Sequence, residues 1–206
     1  MATRQPKGKT VRRLGLNIYG NPKYDKLLDR KPSGPGKERG ARKRGKTSVY
    51  GEQLQEKQKF RFAYGISERQ FRNLFKKASR MTGVTGDNMI SLMEQRLDNT
   101  IYRMGFAISR AQARQMVSHS YFFINGKPVN IPSMYVSIND VITTKPKKGI
   151  ENLIRHNLTA AHSVRGSWLT IDDEKLSATV NILPAATDIQ PVGNIQNVVE
   201  YYSRNA

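Results

Sequence analysis

Apolar residues follow a helical period in the first half of this 206-residue chain. Four apolar residues between positions 71 and 78 recur at the spacing i, i+3, i+4, i+7, which is typical of the buried stripe of an amphipathic helix. Ser67 and Gln70 have the residue types and the spacing of a capping box just before that stripe. The pattern therefore predicts a helix that begins at Glu68.

Three more helices are predicted further along the chain. Residues 87–104 carry large apolar residues at helical spacing, and Gly105 stands where a C-terminal cap belongs. Residues 109–112, SRAQ, form a second capping box, which predicts a short helix that ends near His119. Close to the end of the chain, apolar residues at helical spacing from position 195 onwards indicate a terminal helix.

The period changes to that of β-strands after residue 120. Asn125-Gly126 is a strong signal for a two-residue hairpin turn, and Asn139-Asp140 suggests a second hairpin. Strands are predicted at residues 121–124, 129–131, 134–138, 141–145, 168–171 and 178–182. Together with the helices, these strands predict an α+β fold.

The net charge of the chain predicts a binding function. The chain carries 35 Lys and Arg against 16 Asp and Glu, a formal net charge of +19. Positions 1–80 hold 23 of the basic and 6 of the acidic residues, so almost all the excess charge is N-terminal. Because so basic a chain repels itself unless an anion neutralises it, the composition indicates an anionic partner, and nucleic acid is the leading candidate.

The residue types that are missing exclude other classes of protein. The chain has no cysteine, which excludes a disulfide framework, a zinc site with cysteine ligands and a cysteine nucleophile. No apolar run approaches the length of a membrane span, and the first ten residues lack the apolar centre of a signal peptide. We therefore expect a cytoplasmic protein without membrane association, cofactor or metal.

The densest charge lies in residues 29–46, which hold eight basic residues and no large apolar side chain. Such a segment cannot form a core, and we expect residues 1–46 to be a Gly- and Pro-rich arm that orders on a polyanion. A solvated linker is the alternative, but arginine binds phosphate through a planar fork, which favours nucleic acid. The candidate RNA contacts in the arm are Lys37, Arg39, Arg42, Lys43, Arg44 and Lys46.

Further candidates lie outside the arm. At 100° per residue, the basic residues of the helix that begins at Glu68 fall opposite its apolar stripe, and a solvated face without a ligand is the alternative. Arg110 and Arg114 lie one turn apart at a helix start, where the backbone N–H groups favour a phosphate. Tyr50 suits either packing or stacking on a base. The candidate RNA contacts in this group are Tyr50, Lys57, Lys59, Arg61, Arg69, Arg72, Lys76, Arg80, Arg110, Arg114 and Lys127.

One motif typical of an enzyme is present and is rejected. Residues 40–47, GARKRGKT, match the phosphate-binding pattern G-x-x-x-x-G-K-[ST]. A working loop of this kind follows a buried strand, whereas residues 31–39 contain no apolar run. The three histidines show no zinc-binding spacing, and the serine-nucleophile pattern G-x-S-x-G is absent. The sequence therefore predicts no catalytic residue.

Two long segments resemble a known family. Residues 35–75 (PGKERGARKRGKTSVYGEQLQEKQKFRFAYGISERQFRNLF) and residues 85–141 closely resemble the bacterial small-subunit ribosomal protein four family. The elements SRAQAR, ING and ND, within residues 109–140, are similar to the small RNA-binding module named after that family. Some RNA-modifying enzymes and a tRNA synthetase share this module, so the basic arm followed by EKQK and ERQFRN is the more specific signal.

The resemblance implies a structural protein that binds small-subunit ribosomal RNA, nucleates assembly of the subunit body and helps to set translational accuracy. It also implies contact with ribosomal protein five, a place near protein three and a position along the path by which messenger RNA enters the subunit. Some members repress their own operon. Some relatives carry a cysteine zinc knuckle near the N-terminus, which this chain lacks, so RNA alone is expected to order the arm.

The resemblance further implies an arm and two lobes. The arm covers residues 1–46, and a helical lobe covers residues 47–90 and is completed by the terminal helix at 193–206. The second lobe, residues 91–192, combines helices with an antiparallel sheet and holds the RNA-binding module at about 94–157. Two other functions stay open: an RNA-modifying enzyme, for which the chain has no sizeable catalytic domain, and an RNA chaperone outside the ribosome.

Overall fold

A computed structural model describes residues 6–36, 48–160 and 165–205, which form two compact units. The first unit holds the chain up to Arg80 together with the residues from Pro191 onwards, and the second holds residues 81–190. The division thus falls between Arg80 and Met81, whereas the sequence placed it after residue 90. The arm residues 37–47, with all six candidate contacts, lie outside the described residues.

The helices and strands take up most of the described chain. The helices are α1 (Lys7–Leu14), α2 (Pro22–Arg30), α3 (Val49–Ala63), α4 (Glu68–Ala78), α5 (Thr85–Glu94), α6 (Leu97–Arg103), α7 (Arg110–Ser118), α8 (Lys148–Ala160) and α9 (Ile195–Asn205). The strands are β1 (Phe122–Ile124), β2 (Lys127–Val129), β3 (Val141–Thr144), β4 (Leu169–Asp172) and β5 (Ser177–Val180), and a short 3₁₀ helix covers Ala186–Asp188. The mix of helices and an antiparallel sheet confirms the α+β prediction.

Helix α4 confirms the prediction made from its capping box. The Ser67 hydroxyl accepts a hydrogen bond from the backbone N–H of Gln70, and the Gln70 side chain accepts one from the backbone N–H of Ser67. Two backbone donors at the helix start are thereby satisfied. The apolar stripe is buried and faces α9, whose Val198 and Tyr202 are buried as well. The predicted terminal helix is therefore present and packs on α3 and α4.

The described part of the predicted arm contains the helices α1 and α2, whereas the sequence predicted an extended, Gly- and Pro-rich segment. Asn21 caps α2 by accepting a hydrogen bond from the backbone N–H of Lys23, and Pro22 occupies the first helical turn. In and after α1, Val11, Leu14 and Ile18 are buried. These few apolar residues are sufficient because α1 and α2 pack on each other. Their signal is weak in a sequence so rich in lysine and arginine.

The single helix predicted over residues 87–104 is two helices, α5 and α6. Arg96 has an extended backbone and pairs with Tyr135 in an isolated β-bridge. The backbone N–H of Leu97 donates to the carbonyl of Met134, and that of Val136 donates to the carbonyl of Gln95. Because the chain at residues 132–136 supplies these hydrogen bonds, the helix ends at Glu94 and restarts at Leu97. The same bonds replace the hairpin predicted for residues 134–138, which is therefore wrong.

The sheet has the strand order β2-β1-β3-β5-β4, and every neighbouring pair is antiparallel. The hairpin predicted at Asn125-Gly126 is confirmed, and both residues have the positive φ angles (50° and 77°) that a tight two-residue turn requires. Strand β3 pairs with β1 and β5 instead of with residues 134–138. The two later strands are present close to their predicted positions.

Helix α8 is the element of the second unit that the sequence did not predict. Its Ile150 and Ile154 are buried with the sheet residues and Trp168 in one apolar core. No capping residue announces this helix, and charged and polar residues separate its apolar positions. The core therefore selects the helix through tertiary packing. The largest fully buried side chains of this apolar core are Trp168, Phe106, Phe122, Leu97, Ile101 and Met104.

Candidate nucleic-acid interface

The outer face of α4 is the clearest candidate surface in the first unit. Arg69, Arg72 and Lys76 of α4 are exposed, as is Arg80 in the turn that follows the helix, and the residues on the opposite side of the helix are buried. Within the part of the chain that the structure describes, none of these four cations forms a salt bridge. The face therefore presents four positive charges to solvent without acidic compensation, which suits a row of phosphates.

Lys57, a candidate RNA contact by sequence, lies inside the first unit. Only 4% of the residue is exposed, and its Nζ lies 2.8 Å from Oε1 of Glu68. The ammonium also lies 4.5 Å from the centre of the Tyr201 ring, a cation–π contact. The same Glu68 oxygen accepts a hydrogen bond of 2.8 Å from the hydroxyl of Tyr202. Lys57 thus connects α3 to α4 and α9. We therefore assign this side chain to stabilising the fold and no longer to contacting RNA.

Lys59 and Arg61 are also paired within the unit. The Lys59 Nζ lies 2.6 Å from Glu56, whose other carboxylate oxygen accepts a hydrogen bond from the backbone N–H of Asn194. Arg61 donates to Gln58 and lies 3.4 Å from the Glu68 carboxylate. Both side chains are less than a quarter exposed. The charge of Lys59 is therefore neutralised within α3, and Arg61 connects α3 to α4.

Tyr50 fits both uses that the sequence left open. Its ring lies 5.7 Å from that of Tyr201, centre to centre, and yet 53% of the residue is exposed. One side of the ring packs on α9, while the exposed part stays accessible to a stacking base.

The carboxyl of Glu68 makes the stability of this unit depend on pH. Burial alone would raise the pKa of Glu68, but hydrogen bonds from Lys57 and Tyr202 outweigh burial and lower the pKa below its ordinary value of 4.5. A carboxyl with a lowered folded-state pKa stabilises the protein above the unfolded pKa, and this stability is lost as the pH falls through the folded pKa. We expect Glu68→Gln to make the free energy of unfolding less dependent on pH below about pH 4.5.

Urea unfolding between about pH 3 and pH 7 measures this dependence. The control is Glu52→Gln. Glu52 lies on α3, in the same unit as α4, and its exposed carboxylate forms no salt bridge among the described residues. This control is expected to keep the wild-type profile. Identical profiles for Glu68→Gln and the wild-type protein would contradict the assignment.

In the second unit, two buried carboxylates hold the arginines around α6 and α7. Glu94 is fully buried, and its oxygens accept hydrogen bonds of 2.7 Å and 2.9 Å from Arg103. Asn99 also donates to Glu94, and the Arg110 guanidinium lies 3.7 Å from it. The Arg110 guanidinium further donates to Asn99 and lies over the ring of Tyr102. Two guanidinium groups and one side-chain amide therefore surround the single negative charge of Glu94.

Asp98 organises the other half of this cluster. Arg96 donates to its two oxygens over 3.1 Å and 2.9 Å, a bidentate pair in which both side chains are nearly buried. Arg114 donates to Asp98 from the other side at 2.9 Å. Four arginines thus surround two carboxylates, so the cluster keeps a net charge of +2.

Arg110 and Arg114 stand at the start of α7, where the sequence placed them. Ser109 caps this helix by accepting from the backbone N–H of Gln112 at 3.3 Å, but the Gln112 side chain accepts from Ile108 instead of closing the predicted box. Both arginines contact buried carboxylates, so the fold fixes their positions. One third of the Arg114 side chain is exposed, and its role toward RNA stays a prediction.

The sequence missed the acidic partners and the two other arginines of this cluster. Glu94 and Asp98 stand among buried apolar neighbours, and a charged residue at a buried helix position is the one signal that points to an ion pair. Lys127, the last candidate, is exposed at the end of the β1–β2 hairpin. Among the described residues, no cluster of metal-binding side chains and no helix able to span a membrane is found.

Comparisons with known proteins agree with this arrangement. Residues 2–94 match the family model of the ribosomal protein S4/S9 N-terminal domain, and residues 95–142 match that of the S4 domain. Small ribosomal subunit protein uS4 of Treponema denticola is 90% identical over 206 residues, which are 100% of both chains. The uS4 protein of Treponema pallidum is 70% identical over 204 residues, which are 99% of this chain and 100% of that protein. The uS4 protein of Borrelia hermsii is 48% identical over 202 residues, which are 97% of both chains. The chain therefore belongs to the uS4 family of small ribosomal subunit proteins.

Proposed function

We propose that this chain is a structural constituent of the small ribosomal subunit that binds ribosomal RNA. Membership of the uS4 family supports this function, since the relatives are small ribosomal subunit proteins and the S4 domain is an RNA-binding domain. The proposed function is not enzymatic, because the relatives in this family are ribosomal proteins and not enzymes. A bacterial ribosomal protein acts in the cytoplasm.

The uncompensated cationic face of α4 is the observation that connects this function to the structure. Arg69, Arg72 and Lys76 project from one side of a helix whose other side is buried, and Arg80 is exposed in the turn after it, so these side chains are displayed without cost to the core. An RNA duplex hides its base edges in a deep and narrow groove, and phosphates dominate what such a face can reach. Recognition through α4 should therefore depend on the shape of an RNA junction more than on its base sequence.

The double variant Arg69→Ala/Arg72→Ala tests this surface. We expect it to weaken binding to small-subunit ribosomal RNA by about 2–4 kcal/mol, because charge-assisted contacts to phosphates are lost. The melting temperature should stay nearly unchanged, since both side chains are exposed and unpaired with any acid among the described residues. Filter binding at a fixed salt concentration and thermal unfolding measure the two quantities.

Arg165→Ala/Lys175→Ala is the matched control, because these exposed cations are neutralised by Asp173 and Asp172. It removes the same charge and is expected to leave RNA affinity close to that of the wild-type protein. An equal loss in both variants would show that net charge alone drives binding. Loss of folding in Arg69→Ala/Arg72→Ala would show that this face packs inside the protein.

Burial and ion pairing narrow the RNA contacts that we propose among the described candidates, and the arm candidates are kept from the sequence. Lys57 is excluded by burial, and Lys59, Arg61 and Arg110 are mostly buried and paired with carboxylates of the protein itself. The remaining proposed contacts are Tyr50, Arg69, Arg72, Lys76, Arg80, Arg114, Lys127 and, in the arm, Lys37, Arg39, Arg42, Lys43, Arg44 and Lys46.

Finer roles follow from the resemblance to the family. These are nucleation of the subunit body, an influence on translational accuracy, contact with ribosomal protein five, proximity to protein three, and a position along the path of messenger RNA into the subunit. Co-sedimentation in a sucrose gradient separates the ribosomal role from that of a free RNA chaperone. Stoichiometric presence in small subunits supports the ribosomal role, and a position only at the top of the gradient contradicts it.

A further inference from the structure

The groove between α1 and α2 is a second cationic site in the first unit. It encloses a volume of about 850 Å³, and five cations line it: Lys7, Lys23, Lys26, Arg30 and Lys31. Among residues 6–36, no acidic side chain lines the groove. None of the five forms a salt bridge with another described residue. Five like charges around one concave surface repel one another unless an anion binds there.

The charges of α2 are sorted by helix face. At 100° per residue, the groove-lining residues of α2 fall on one side, whereas Asp25 and Asp29 fall on the other. Asp25 accepts a hydrogen bond of 2.9 Å from the side chain of Asn17, away from the groove. If the charges of α2 served only solubility, basic and acidic residues would be mixed around the whole helix surface. The segregation indicates that the groove itself binds an anion.

Packing between the helices forms the groove without a ligand. Gly8 lies so close to α2 that a Cβ atom there would lie 3.1 Å from Leu27. Arg12 of α1 donates to the backbone carbonyls of Ser33 (3.0 Å) and Gly34 (3.2 Å), which hold the chain after α2 against α1. Lys31 is thereby kept at the rim. A site organised before binding loses less entropy when its ligand arrives.

Tyr24 distinguishes this groove from the face of α4. Its side chain lines the groove among the cations, and its ring lies 5.4 Å from that of Tyr19, centre to centre. An aromatic ring beside several cations is the combination that binds single-stranded nucleic acid, since a base stacks on the ring while its phosphates meet the cations. The bases of a duplex are already stacked and cannot use the ring. The volume also suits one nucleotide with its flanking phosphates.

We propose that the α1–α2 groove binds a single-stranded segment of RNA, with successive phosphates on its five cations and one base against Tyr24. The proposal rests on the proposed RNA-binding function and adds a second site with a different RNA chemistry. The α4 face binds the backbone of folded RNA, whereas the groove takes an unpaired nucleotide. One protein unit would then hold a structured and an unpaired part of the RNA together.

The test uses the full chain and a fluorescent octamer of uridylate. The triple variant Lys23→Gln/Lys26→Gln/Arg30→Gln is expected to bind the octamer about tenfold more weakly or worse, and to lower the slope of log affinity against log salt by about 2. Arg155→Gln/Arg165→Gln/Lys175→Gln removes the same charge from exposed positions of the second unit and should change neither quantity. Equal effects of the two variants would overturn the groove site.

Two further variants test the aromatic ring. Tyr24→Leu should weaken octamer binding about fivefold or more, and Tyr24→Phe should retain it, because stacking needs the ring and not the hydroxyl. If both variants bind like the wild-type protein, the base is not on Tyr24 and the proposal fails. Cross-linking with an octamer that contains 4-thiouridine is independent of any folding defect. An adduct in the peptide that holds Tyr24 supports the site, and adducts confined to other peptides overturn it.

Two comparisons separate this proposal from its alternatives. Uridine triphosphate that displaces the octamer at equal phosphate concentration would assign the groove to a free nucleotide and overturn the single-strand proposal. Binding of small-subunit ribosomal RNA is measured in parallel. If the wild-type protein binds that RNA but groove variants bind the octamer normally, only the groove proposal fails. If the wild-type protein binds no ribosomal RNA, the proposed function itself fails.

Discussion

Replacement of Glu94 by glutamine is expected to lower the free energy of unfolding by about 3–5 kcal/mol. The carboxylate is fully buried and compensates Arg103 and Arg110, whose side chains are only 14% and 16% exposed. Glutamine keeps one oxygen acceptor but removes the charge, so two nearly buried guanidinium groups lose their counter-ion. Urea unfolding at neutral pH measures the change.

Asp173→Asn is the control for this prediction. One guanidinium nitrogen of Arg165 donates to both carboxylate oxygens of Asp173, over 3.1 Å and 2.9 Å, and both side chains are nearly half exposed. Solvent screens such a pair, and its loss should cost less than about 1 kcal/mol. Similar small losses for both variants would show that water, and not the protein interior, surrounds Glu94.

The affinity for small-subunit ribosomal RNA is expected to fall on the order of a thousandfold or more between low and physiological salt, for six or more phosphate contacts. The cause is release of counter-ions from RNA when Lys and Arg neutralise its phosphates. The exposed cations of α4 and the basic composition of the arm supply enough charge for that number. Filter binding across a series of salt concentrations gives the slope directly.

Arg69→Ala/Arg72→Ala provides the internal control for the salt series. If both side chains contact phosphates, the variant should have a slope smaller by about 2 than that of the wild-type protein. Arg165→Ala/Lys175→Ala should keep the wild-type slope, because its cations are already neutralised by aspartates. A flat salt response of the wild-type protein would contradict phosphate contacts as the basis of binding.

The two units use arginine in opposite ways. On α4 the guanidinium groups are exposed and lack acidic partners among the described residues, which suits a ligand that brings its own negative charge. Around α6 and α7 the arginines surround Glu94 and Asp98, and the excess charge of the cluster is small. A count of basic residues cannot separate these uses, because the counter-ion is RNA in one case and the protein in the other.

Local features of the fold could be predicted from the sequence because neighbouring residues decide them. The capping box at Ser67, the stripe of α4 and the hairpin at Asn125-Gly126 each depend on side chains within a few positions of one another. The cationic face of α4 follows from the same helical period. The resemblance to the family rests on similarly local motifs.

Features decided by distant residues could not be predicted in this way. The break between α5 and α6 depends on hydrogen bonds from residues 132–136, and α8 depends on a core that includes Trp168. Residues 87–104 alone show one continuous helical period, whereas charged and polar residues separate the apolar positions of α8. The strand predicted at 134–138 failed for the same reason, since its backbone groups pair with Gln95 and Leu97 and not with β3.

By itself, the sequence determined the family, the α+β class, the cationic side of α4 and the N-terminal excess of charge. Only the tertiary structure decided which basic residues are available to RNA: it buries Lys57 beside Glu68, holds Arg110 beside Glu94, and assembles the α1–α2 groove. The physical reason is that a lysine or arginine side chain is long. Its environment is set by whatever the fold brings within its reach, and those groups lie far away in the sequence or on another helix.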